Sequence, residues 1–306
     1  MASQYIRLKK YEAIANDLIH KIKEGQLRDG ERMPSIRDLA SYYQCNKGTL
    51  IKVFEVLQQQ HYCYSMPKSG FYVIAPKEQV PSQVSMYDFS SVNALEETIP
   101  YGEFSHAVNK AIQKYGKVLF DYGEAGGLLE ARQGIATYLQ QACIYIESDQ
   151  VVITSGALQG MDLLLRCMGD EACVLVEQHT YSLFQQLAEL NGVQLKGIDR
   201  SLDGIDFGEL EDAFKEVDYF YTIPRLSNPL GSSYSEADKK RLVKLAEKYQ
   251  VILIEDDYLG DLVVNPKHYP LHYYANGKGI ITLRSFSKAF LPGVRLGCVI
   301  FPKSKQ

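Results

Sequence analysis

Residues 283–297, LRSFSKAFLPGVRLG, bring together side chains that could hold a phosphorylated aldehyde. Lys288 carries a primary amine, which in its neutral form condenses with an aldehyde to give a Schiff base. Desolvation and a nearby cation such as Arg295 would favour that neutral form over the ammonium. Ser285 and Ser287 offer hydroxyls to a phosphate, and the Arg295 guanidinium offers a planar two-point contact. The segment therefore predicts a phosphate clamp beside a reactive lysine.

This segment follows one of several apolar runs that the sequence predicts to be buried β-strands. The runs are VVIT, CVLVE, VQLKGI, YFYTIP, VILIE, GIITL and CVIF, and they alternate with helical stretches, notably at 158–168, 182–191 and 236–249. Continuously apolar strands are typical of a sheet that helices cover on both faces. We therefore expect an α/β three-layer sandwich with a mainly parallel sheet, whose ligand binds at the carboxyl ends of the strands.

Polar groups follow five of these predicted strands. VVIT leads into Gly156 and Ala157, whose backbone N–H groups at a helix N-terminus would face an anion. The other strand ends lead to Tyr181, to Asn228, to Asp256 and Tyr258, and to the serines and lysine described above. Because the carboxyl ends of parallel strands meet at one edge of a sheet, the sequence predicts a single site there.

Other interpretations of the same residues remain open. Ser285 and Lys288 also satisfy the S-x-x-K pattern of β-lactamases, which use the serine as nucleophile, but neither S-D-N nor K-T-G accompanies it. Asp256 and Asp257 could form a helix cap or a metal pair, and paired carboxylates without histidine partners are more often structural. Tyr181 alone fits ordinary packing, and only its position after a predicted strand favours a site.

The first 76 residues predict a different, smaller domain. Apolar residues recur at helical spacing between positions 11 and 22, Ser35 and Asp38 form a capping-box pattern, and Asn46 can cap a third helix. Two aromatic and β-branched runs, HYCYS and GFYVIA, then predict a hairpin with a lysine at its tip. Helix, helix-turn-helix and hairpin, in that order, make a winged helix-turn-helix domain, whose third helix enters the DNA major groove.

Charge is divided unevenly along the chain. Residues 1–76 hold 11 Lys and Arg against 7 Asp and Glu, whereas the whole chain has 33 against 37. A basic first domain suggests an anionic partner, although a small module used only for dimer contacts is the alternative. Cations in this region can neutralise phosphates, and residues at the start of the third helix can reach base edges. The candidate DNA-binding residues are Arg32, Ser35, Arg37, Lys47, Thr49, Lys52 and Lys68.

Composition limits the class of protein. Hydrophobic residues make up 46% of the chain and charged residues 23%, with no apolar run long enough for a membrane span, so we expect a soluble protein without membrane contact. The start of the chain lacks the pattern of a secretory signal, which favours the cytoplasm. Six scattered cysteines predict neither a metal site nor a disulfide framework. Residues 77–86 are polar with no apolar period and predict a linker, and the second domain is expected over 87–306.

Two resemblances to known families follow from these motifs. GERMPSIRDLASYYQCNKGTLIKVFEVLQQQHYCYSMPKSGFYV resembles the DNA-reading segment of the GntR family, within residues 10–74. Residues 87–306 resemble the fold-type I pyridoxal 5'-phosphate enzymes, the aspartate aminotransferase superfamily, and the seven-residue spacing from Lys288 to Arg295 agrees with that superfamily.

The second resemblance implies pyridoxal 5'-phosphate as cofactor and a role for each group. Lys288 would form the internal aldimine, Asp256 would pair with the protonated ring nitrogen, and Tyr181 would stack on the ring. Asn228 and Tyr258 resemble the pair that contacts the phenolic oxygen of the ring. The phosphate clamp would comprise Ser285, Ser287, Arg295 and the amides of Gly156 and Ala157.

The two halves in this order resemble the MocR family of transcriptional regulators. This resemblance implies a bacterial, homodimeric, DNA-binding regulator that holds pyridoxal phosphate as a Schiff base and responds to an amino compound or to the cofactor. The alternative is an aminotransferase acting on an amino acid, which the motif RLSNPLG favours slightly, and a third possibility is a DNA-binding fragment without cofactor. Because the chain stops after CVIFPKSKQ, the C-terminal small domain of the family is expected to be missing.

Overall fold

The computed structural model describes residues 9–66, 69–75, 99–169, 171–265 and 268–303. By packing, the chain divides into two units, residues 1–122 and residues 123–306. Within the described ranges, no helix combines the length and the apolar character that crossing a lipid bilayer requires.

The first unit begins with three helices and a hairpin. Helices α1 (Lys10–Lys23), α2 (Ile36–Tyr42) and α3 (Lys47–Gln59) precede strands β1 (Cys63–Met66) and β2 (Gly70–Val73), which pair antiparallel. The apolar stripes of α1 and α3 bury one another and close a common core with the hairpin. The three helices and the hairpin expected from the sequence are therefore confirmed.

Both predicted helix caps of this unit form. The Ser35 hydroxyl accepts a hydrogen bond from the Asp38 N–H at 3.2 Å and so starts α2. Asn46 Oδ1 accepts the Thr49 N–H at 2.8 Å and so starts α3. Each cap satisfies a backbone donor that a helix leaves without an internal partner, which fixes where each helix begins.

The segment before α2 extends the hairpin. The Met33 N–H donates to the Phe71 carbonyl at 2.8 Å, the Val73 N–H donates to the Glu31 carbonyl at 2.8 Å, and Arg32 lies opposite Tyr72. This short pairing joins the segment before α2 to the β1–β2 hairpin, which is the wing of the domain.

Helix α4 (Tyr101–Tyr115) packs with the first unit, whereas the sequence predicts that it opens the second domain. Gln113 Nε2 donates to the carbonyl of Ser65 on β1, and the His106 ring lies edge-on to His61 with 5.4 Å between ring centroids. The predicted linker, residues 77–86, falls outside the described residues. The domain boundary therefore stays a prediction.

The second unit is built on a seven-stranded sheet. Its order is β3 (Val151–Thr154), β11 (Gly297–Ile300), β10 (Ile280–Ser285), β9 (Ile252–Asp256), β8 (Tyr219–Thr222), β4 (Cys173–Glu177) and β5 (Gln194–Ile198). Strand β11 runs antiparallel to both of its neighbours, and the other strands run parallel to one another. The predicted mainly parallel sheet is confirmed. A two-residue hairpin, β6 (Arg200–Ser201) with β7 (Gly204–Ile205), lies apart from it.

Helices cover the sheet on both faces. The helices are α5 (Leu129–Leu139), α6 (Gly156–Cys167), α7 (Ser182–Leu190), α8 (Phe207–Ala213), α9 (Glu236–Tyr249) and α10 (Leu271–Ala275). Ile254 and Leu283 pack in one core with α6 and α7, and Leu253 and Ile280 pack in another with α8, α9 and α10. Side chains alternate between the faces along each strand, so each strand serves both cores. The three-layer sandwich is therefore confirmed.

Candidate functional site

Six of the seven candidate DNA-binding residues belong to the described residues of the first unit, and five of them are exposed. Arg32, Ser35, Arg37, Lys47 and Lys52 are exposed, Thr49 is half-buried, and Lys68 falls outside the described residues. The Arg32 side chain lies beside the wing, because a Cβ added to Gly70 would meet its Nε at 3.4 Å. Lys47 and Lys52 stand on α3 itself.

The two hydroxyls of this set take part in helix caps. Ser35 donates to the Asp38 carboxylate at 2.6 Å, and the Thr49 hydroxyl donates to Asn46 Oδ1 at 3.0 Å. The exposed cations are therefore the stronger candidates for contacts with DNA.

Of three consecutive acidic residues, two end strand β9 and Asp257 follows it directly, and the three point to alternate faces of the sheet. Glu255 faces α10, because its carboxylate accepts the backbone N–H groups of Leu271 and His272 at 2.6 and 3.0 Å. Asp257 points to the same face as Glu255, and Asp256 points to the α6 and α7 face. The period-two alternation of a strand thus separates Asp256 from both neighbouring carboxylates.

Asp256 is buried, and besides a tyrosine donor on Oδ2 the backbone N–H of Tyr258 also acts on its carboxylate and lowers its pKa. The Tyr221 hydroxyl on β8 donates to Asp256 Oδ2 at 2.7 Å, whereas the buried Oδ1 has no protein partner. Burial raises the pKa of Asp256 to about 7, because a charged carboxylate loses its hydration there. A buried carboxylate with one open oxygen is suited to accept a proton-bearing nitrogen from a ligand.

Asp257 is enclosed by two arginines. Arg225 contacts it with two parallel N–H groups, Nε to Oδ1 at 2.9 Å and Nη2 to Oδ2 at 2.5 Å, and Arg284 Nη1 also reaches Oδ2. Burial alone would raise the pKa of Asp257, but the two guanidiniums outweigh it and lower that pKa. Gly260 leaves the space for this cluster, since a Cβ there would overlap the Arg284 guanidinium. The cluster is structural, which excludes a metal pair made of Asp256 and Asp257.

A cradle lies where β3 passes into α6. Gly156 has a φ of +79°, and a Cβ added to it would meet Arg295 Nη2 at 2.7 Å. Arg295 Nη2 also donates to the Ser155 carbonyl at 3.3 Å. A Cβ added to Gly297 would lie 2.6 to 2.9 Å from backbone atoms of Gly156 and Ala157. Because Gly156 and Gly297 have no side chains, the N-terminus of α6, the Arg295 side chain and strand β11 can approach one another closely.

The serines of the predicted clamp lie at the end of β10, next to this cradle. Ser285 is buried and pairs in register with Gly297, which pairs in turn with Thr154 on β3. The Ser287 N–H donates to Ser285 Oγ at 3.3 Å. The structure therefore brings together, at one edge of the sheet, the groups predicted to bind phosphate. They lie at the end of β3, at the end of β10 and on Arg295.

Tyr181 is half-buried directly before α7, and its acidity responds to groups of both the cradle and strand β9. Burial and the nearby Asp256 carboxylate raise the pKa of Tyr181, and the Arg295 guanidinium opposes that rise, so the ring lies within electrostatic reach of both groups. Burial and Asp256 also raise the pKa of Tyr258, whose hydroxyl donates to the Leu226 carbonyl at 3.1 Å. Asn228 follows two residues after Leu226 and is half-buried.

Lys288 differs from the sequence-based expectation. It lies in the turn after β10, which the Phe290 N–H closes onto the Phe286 carbonyl at 2.9 Å, and its side chain is exposed. The described residues therefore do not show the desolvation expected for this amine, and the role of Lys288 stays a prediction. Phe286 at the start of this turn packs in a core with Ala136 and Leu139 of α5, whereas Lys288 points away from that core into solvent.

The residues present fit pyridoxal phosphate. The open oxygen of Asp256 matches the ring nitrogen, and the Gly156 and Arg295 cradle matches a phosphate that backbone N–H groups and a guanidinium hold together. Tyr181 lies within reach of both positions. The donor set thus agrees with a ligand that is anionic at one end and carries a basic nitrogen at the other.

Sequence reasoning missed several residues of this site. Tyr221, Arg225, Arg284 and Gly297 were not singled out, although they orient Asp256, neutralise Asp257 or admit the close approach of β11. A partial signal for Tyr221 was present, because it stands near the end of the predicted strand YFYTIP, where ligand-binding groups were expected. The two arginines gave no such signal, since an arginine within a buried stretch is recognisable only once its carboxylate partner is known.

Comparison with known proteins agrees with both halves. Residues 91–304 match the family model described as aminotransferase class I and II, and residues 10–73 match that of the bacterial regulatory proteins of the gntR family. The uncharacterized HTH-type transcriptional regulator YcxD of Bacillus subtilis is 36% identical over 97% of this chain and 68% of its own length. YdcR of Escherichia coli, named in the same way, is 28% identical over 95% of this chain and 69% of its own. The chain thus spans about two thirds of the length of these relatives.

Solved aminotransferase structures resemble about 70% of this chain. An archaeal alanine:glyoxylate aminotransferase superposes with a TM-score of 0.64 at 26% identity, over 70% of this chain and 55% of that protein. The kynurenine aminotransferase of Pyrococcus horikoshii, solved in complex with PMP, gives a TM-score of 0.62 at 28% identity, over 69% and 54%. LysN, the α-aminoadipate aminotransferase of Thermus thermophilus, bound to N-(5'-phosphopyridoxyl)-L-leucine, gives 0.63 at 26%, over 70% and 55%.

Proposed function

Since the chain belongs to the MocR-type regulators, which join a GntR-family domain to an aminotransferase class I and II domain, we propose that it is a DNA-binding transcriptional regulator that binds pyridoxal 5'-phosphate. The observation that carries the cofactor proposal is the buried Asp256 carboxylate, whose open oxygen lies at the carboxyl edge of the sheet. The relatives named as HTH-type transcriptional regulators share both halves, which favours a regulator over an aminotransferase. Such a chain would act in the cytoplasm, where bacterial DNA is found.

Each residue of the site has a proposed part in holding the cofactor. When bound, pyridoxal phosphate supplies an aldehyde that condenses with an amine and a ring that takes up electrons. Lys288 provides the amine, Asp256 holds a proton at the ring nitrogen, and Tyr181 covers the ring. Asn228 and Tyr258 contact the phenolic oxygen. The phosphate is held by Ser285, Ser287, Arg295 and the amides of Gly156 and Ala157.

Regulation would follow from linkage between the cofactor site and the DNA. An amino compound that competes with Lys288 for the cofactor aldehyde changes which conformation of the second unit is favoured. In a homodimer, that change alters how two DNA-reading units are spaced, and half-site spacing is what such dimers recognise. The proposed effector is therefore an amine, and the proposed output is a change in affinity for paired half-sites.

The cofactor proposal is tested by the visible absorption spectrum of the protein with pyridoxal phosphate, before and after borohydride. The wild type is expected to show a band that borohydride removes by fixing the cofactor to the chain, and Lys288→Ala is expected to lack it, since the amine is gone. Lys278→Ala is the matched control, because it removes an exposed lysine from the other end of strand β10. Mass spectrometry then locates the added pyridoxyl group.

Two results would count against the cofactor assignment, and a third would leave it standing but count against a regulator. A folded wild type without the band does not hold the cofactor covalently, and a band that Lys288→Ala retains belongs to another lysine. Sustained transfer of an amino group from an amino acid to a 2-keto acid by the wild type would support the aminotransferase alternative.

The DNA proposal is tested with a duplex selected from a random-sequence library by the wild-type protein. Lys47→Ala is expected to weaken binding and to reduce the slope of log affinity against log salt by about one unit, because one phosphate contact is lost. Fluorescence anisotropy at several salt concentrations measures both. Lys244→Ala, an equal change of charge on the exposed side of α9, is the control and should leave the slope unchanged. If the two substitutions have equal effects, Lys47 contributes only through the overall charge of the protein and makes no phosphate contact of its own.

A further inference from the structure

We propose that Tyr221 is a positioning residue for the cofactor, and that it aims Asp256 at the ring nitrogen through an uncharged hydrogen bond. This inference rests on the proposed function. In this role Tyr221 does not contact the ligand. Tyr221 acts through the Asp256 carboxylate, to which its hydroxyl donates.

The geometry fixes one oxygen of Asp256 and leaves the other open. Tyr221 Oη lies 2.7 Å from Oδ2, and both residues are buried, Tyr221 with no exposed surface and Asp256 with 2%. The two oxygens of a carboxylate share a plane, so a donor on Oδ2 sets the direction of Oδ1. Oδ1 is buried and has no partner. The open oxygen is therefore oriented before a ligand arrives.

The tyrosine ring is itself held in place. Phe184 on α7 stacks on Tyr221 with 3.7 Å between ring centroids and 8° between ring planes. Both rings belong to the core that α6 and α7 form with the sheet. A buried stacked ring has little freedom to turn, so the hydroxyl stays fixed on Asp256.

Asp257 shows in the same chain what a charged partner would do instead. Its Oδ1 is taken by Arg225 and its Oδ2 by Arg225 and Arg284, so no oxygen is left for a ligand. A guanidinium also neutralises a carboxylate, which removes the attraction that a protonated ring nitrogen would gain. A phenol occupies one oxygen and brings no formal positive charge into contact with the carboxylate. This difference separates the carboxylate suited to a ligand from the one suited to the core.

The acidity of Asp256 agrees with this role. Burial raises the pKa of Asp256, and the hydrogen bond from Tyr221 is the largest influence that lowers it. Without the hydroxyl, the carboxyl would keep its own proton to a higher pH and would accept a ring N–H less well.

The experiment compares two ligands, pyridoxal phosphate and its 1-deaza analogue, which has carbon in place of the ring nitrogen. Affinities for the full chain are measured by equilibrium dialysis. Tyr221→Phe is expected to bind pyridoxal phosphate about tenfold more weakly, as the loss of a hydrogen bond to a charged group costs. Binding of the 1-deaza analogue should change less than about twofold, since it offers Asp256 no nitrogen.

Tyr234→Phe is the matched control. Tyr234 is buried in the same unit and donates to the buried Glu177 carboxylate at 2.8 Å, so its substitution removes the same kind of hydrogen bond on the other face of the sheet. This variant should keep the wild-type affinity for both ligands. It reports any general loosening of the unit that the removal of a buried hydroxyl causes.

Each outcome decides the inference. A weaker affinity of Tyr221→Phe for pyridoxal phosphate alone supports it. An unchanged affinity, or equal losses for both ligands, overturns the role of Tyr221 while the proposed function stands. A wild type that binds neither ligand overturns the proposed function, and this inference with it.

Discussion

Asp256 and Asp257 are neighbours in the chain and have opposite electrostatic surroundings. The first has an uncharged donor and an open oxygen, and the second has two guanidiniums. A buried carboxylate that loses such partners leaves uncompensated charge in a medium of low polarity, so breaking the pair costs far more than an exposed ion pair contributes. The structural role of Asp257 leads to a prediction about stability.

Asp257→Asn is expected to lower the free energy of unfolding by about 3 to 5 kcal/mol, because Arg225 and Arg284 stay buried without their carboxylate. Urea unfolding followed by circular dichroism at pH 7 measures this. The pKa of Asp257 is lowered in the folded chain, so its stabilisation is complete above the ordinary carboxyl pKa of about 4 and is lost as pH falls through the lowered value. The difference between wild type and variant should therefore be constant from pH 5 to 7 and shrink only in stronger acid.

Asp212→Asn is the control for that measurement, since its ion pair with Lys215 is exposed and should contribute little. A difference between Asp257→Asn and wild type that already shrinks near pH 6 would contradict the lowered pKa.

At the residue scale, the sequence predicted the polar residues that follow a strand directly, but it did not predict the residues that contact them from other strands. Asp256 and Tyr181 could be proposed because each follows an apolar run. The exposure of Lys288 could not be predicted, since exposure depends on which parts of the chain cover a turn. Arg225 and Arg284 are recognisable as a pair only when β8 and β10 are known to flank β9.

Among the elements, α3 depends most visibly on a single capping residue. Asn46 Oδ1 accepts both the N–H and the hydroxyl of Thr49, and Lys47 stands in the turn that this cap begins. The cap therefore sets both the start of the helix and the position of its first cation.

Asn46→Ala is expected to destabilise the first unit by about 1 kcal/mol, the usual effect of losing an N-cap. If the first turn of α3 must be formed when DNA binds, affinity for the selected duplex should fall about fivefold, which corresponds to that free energy. Asp206→Ala removes the N-cap of α8 in the second unit, where Oδ1 accepts two backbone N–H groups, and should leave DNA affinity unchanged. A loss of stability in Asn46→Ala without a loss of affinity would place the first turn outside the DNA contact.

Helices and strands with strong periodicity were predicted well, and short or long-range pairings were not. The cap at Ser35 was found because its partner lies three residues away. The pairing of Arg32 with Tyr72 joins residues forty positions apart and leaves no local pattern. The packing of α4 onto β1 is of the same kind, since the amphipathic pattern of a helix does not name the surface it covers.

At the scale of the whole molecule, two units of opposite charge share one chain. The excess of Lys and Arg lies in the region that includes α1, α2 and α3, and the acidic excess lies beyond it. That division of charge was visible in the sequence, as was the order of the domains, because composition and the order of motifs do not depend on how the chain folds. The sheet order was not visible, since a strand such as β11 joins β3 across nearly half of the chain.

Because side chains alternate at the end of β9, the function of each residue there depends on the register of the strand. Moving its register by one residue would turn Asp256 towards the face of the two arginines and Asp257 towards the α6 and α7 face. A substitution on β9 changes one side chain, whereas one inserted residue before Asp256 would put Glu255 in the place of Asp256, and one deleted residue would put Asp257 there. In a library of variants, insertions and deletions of one residue between 252 and 256 should therefore be depleted more strongly than any conservative replacement there.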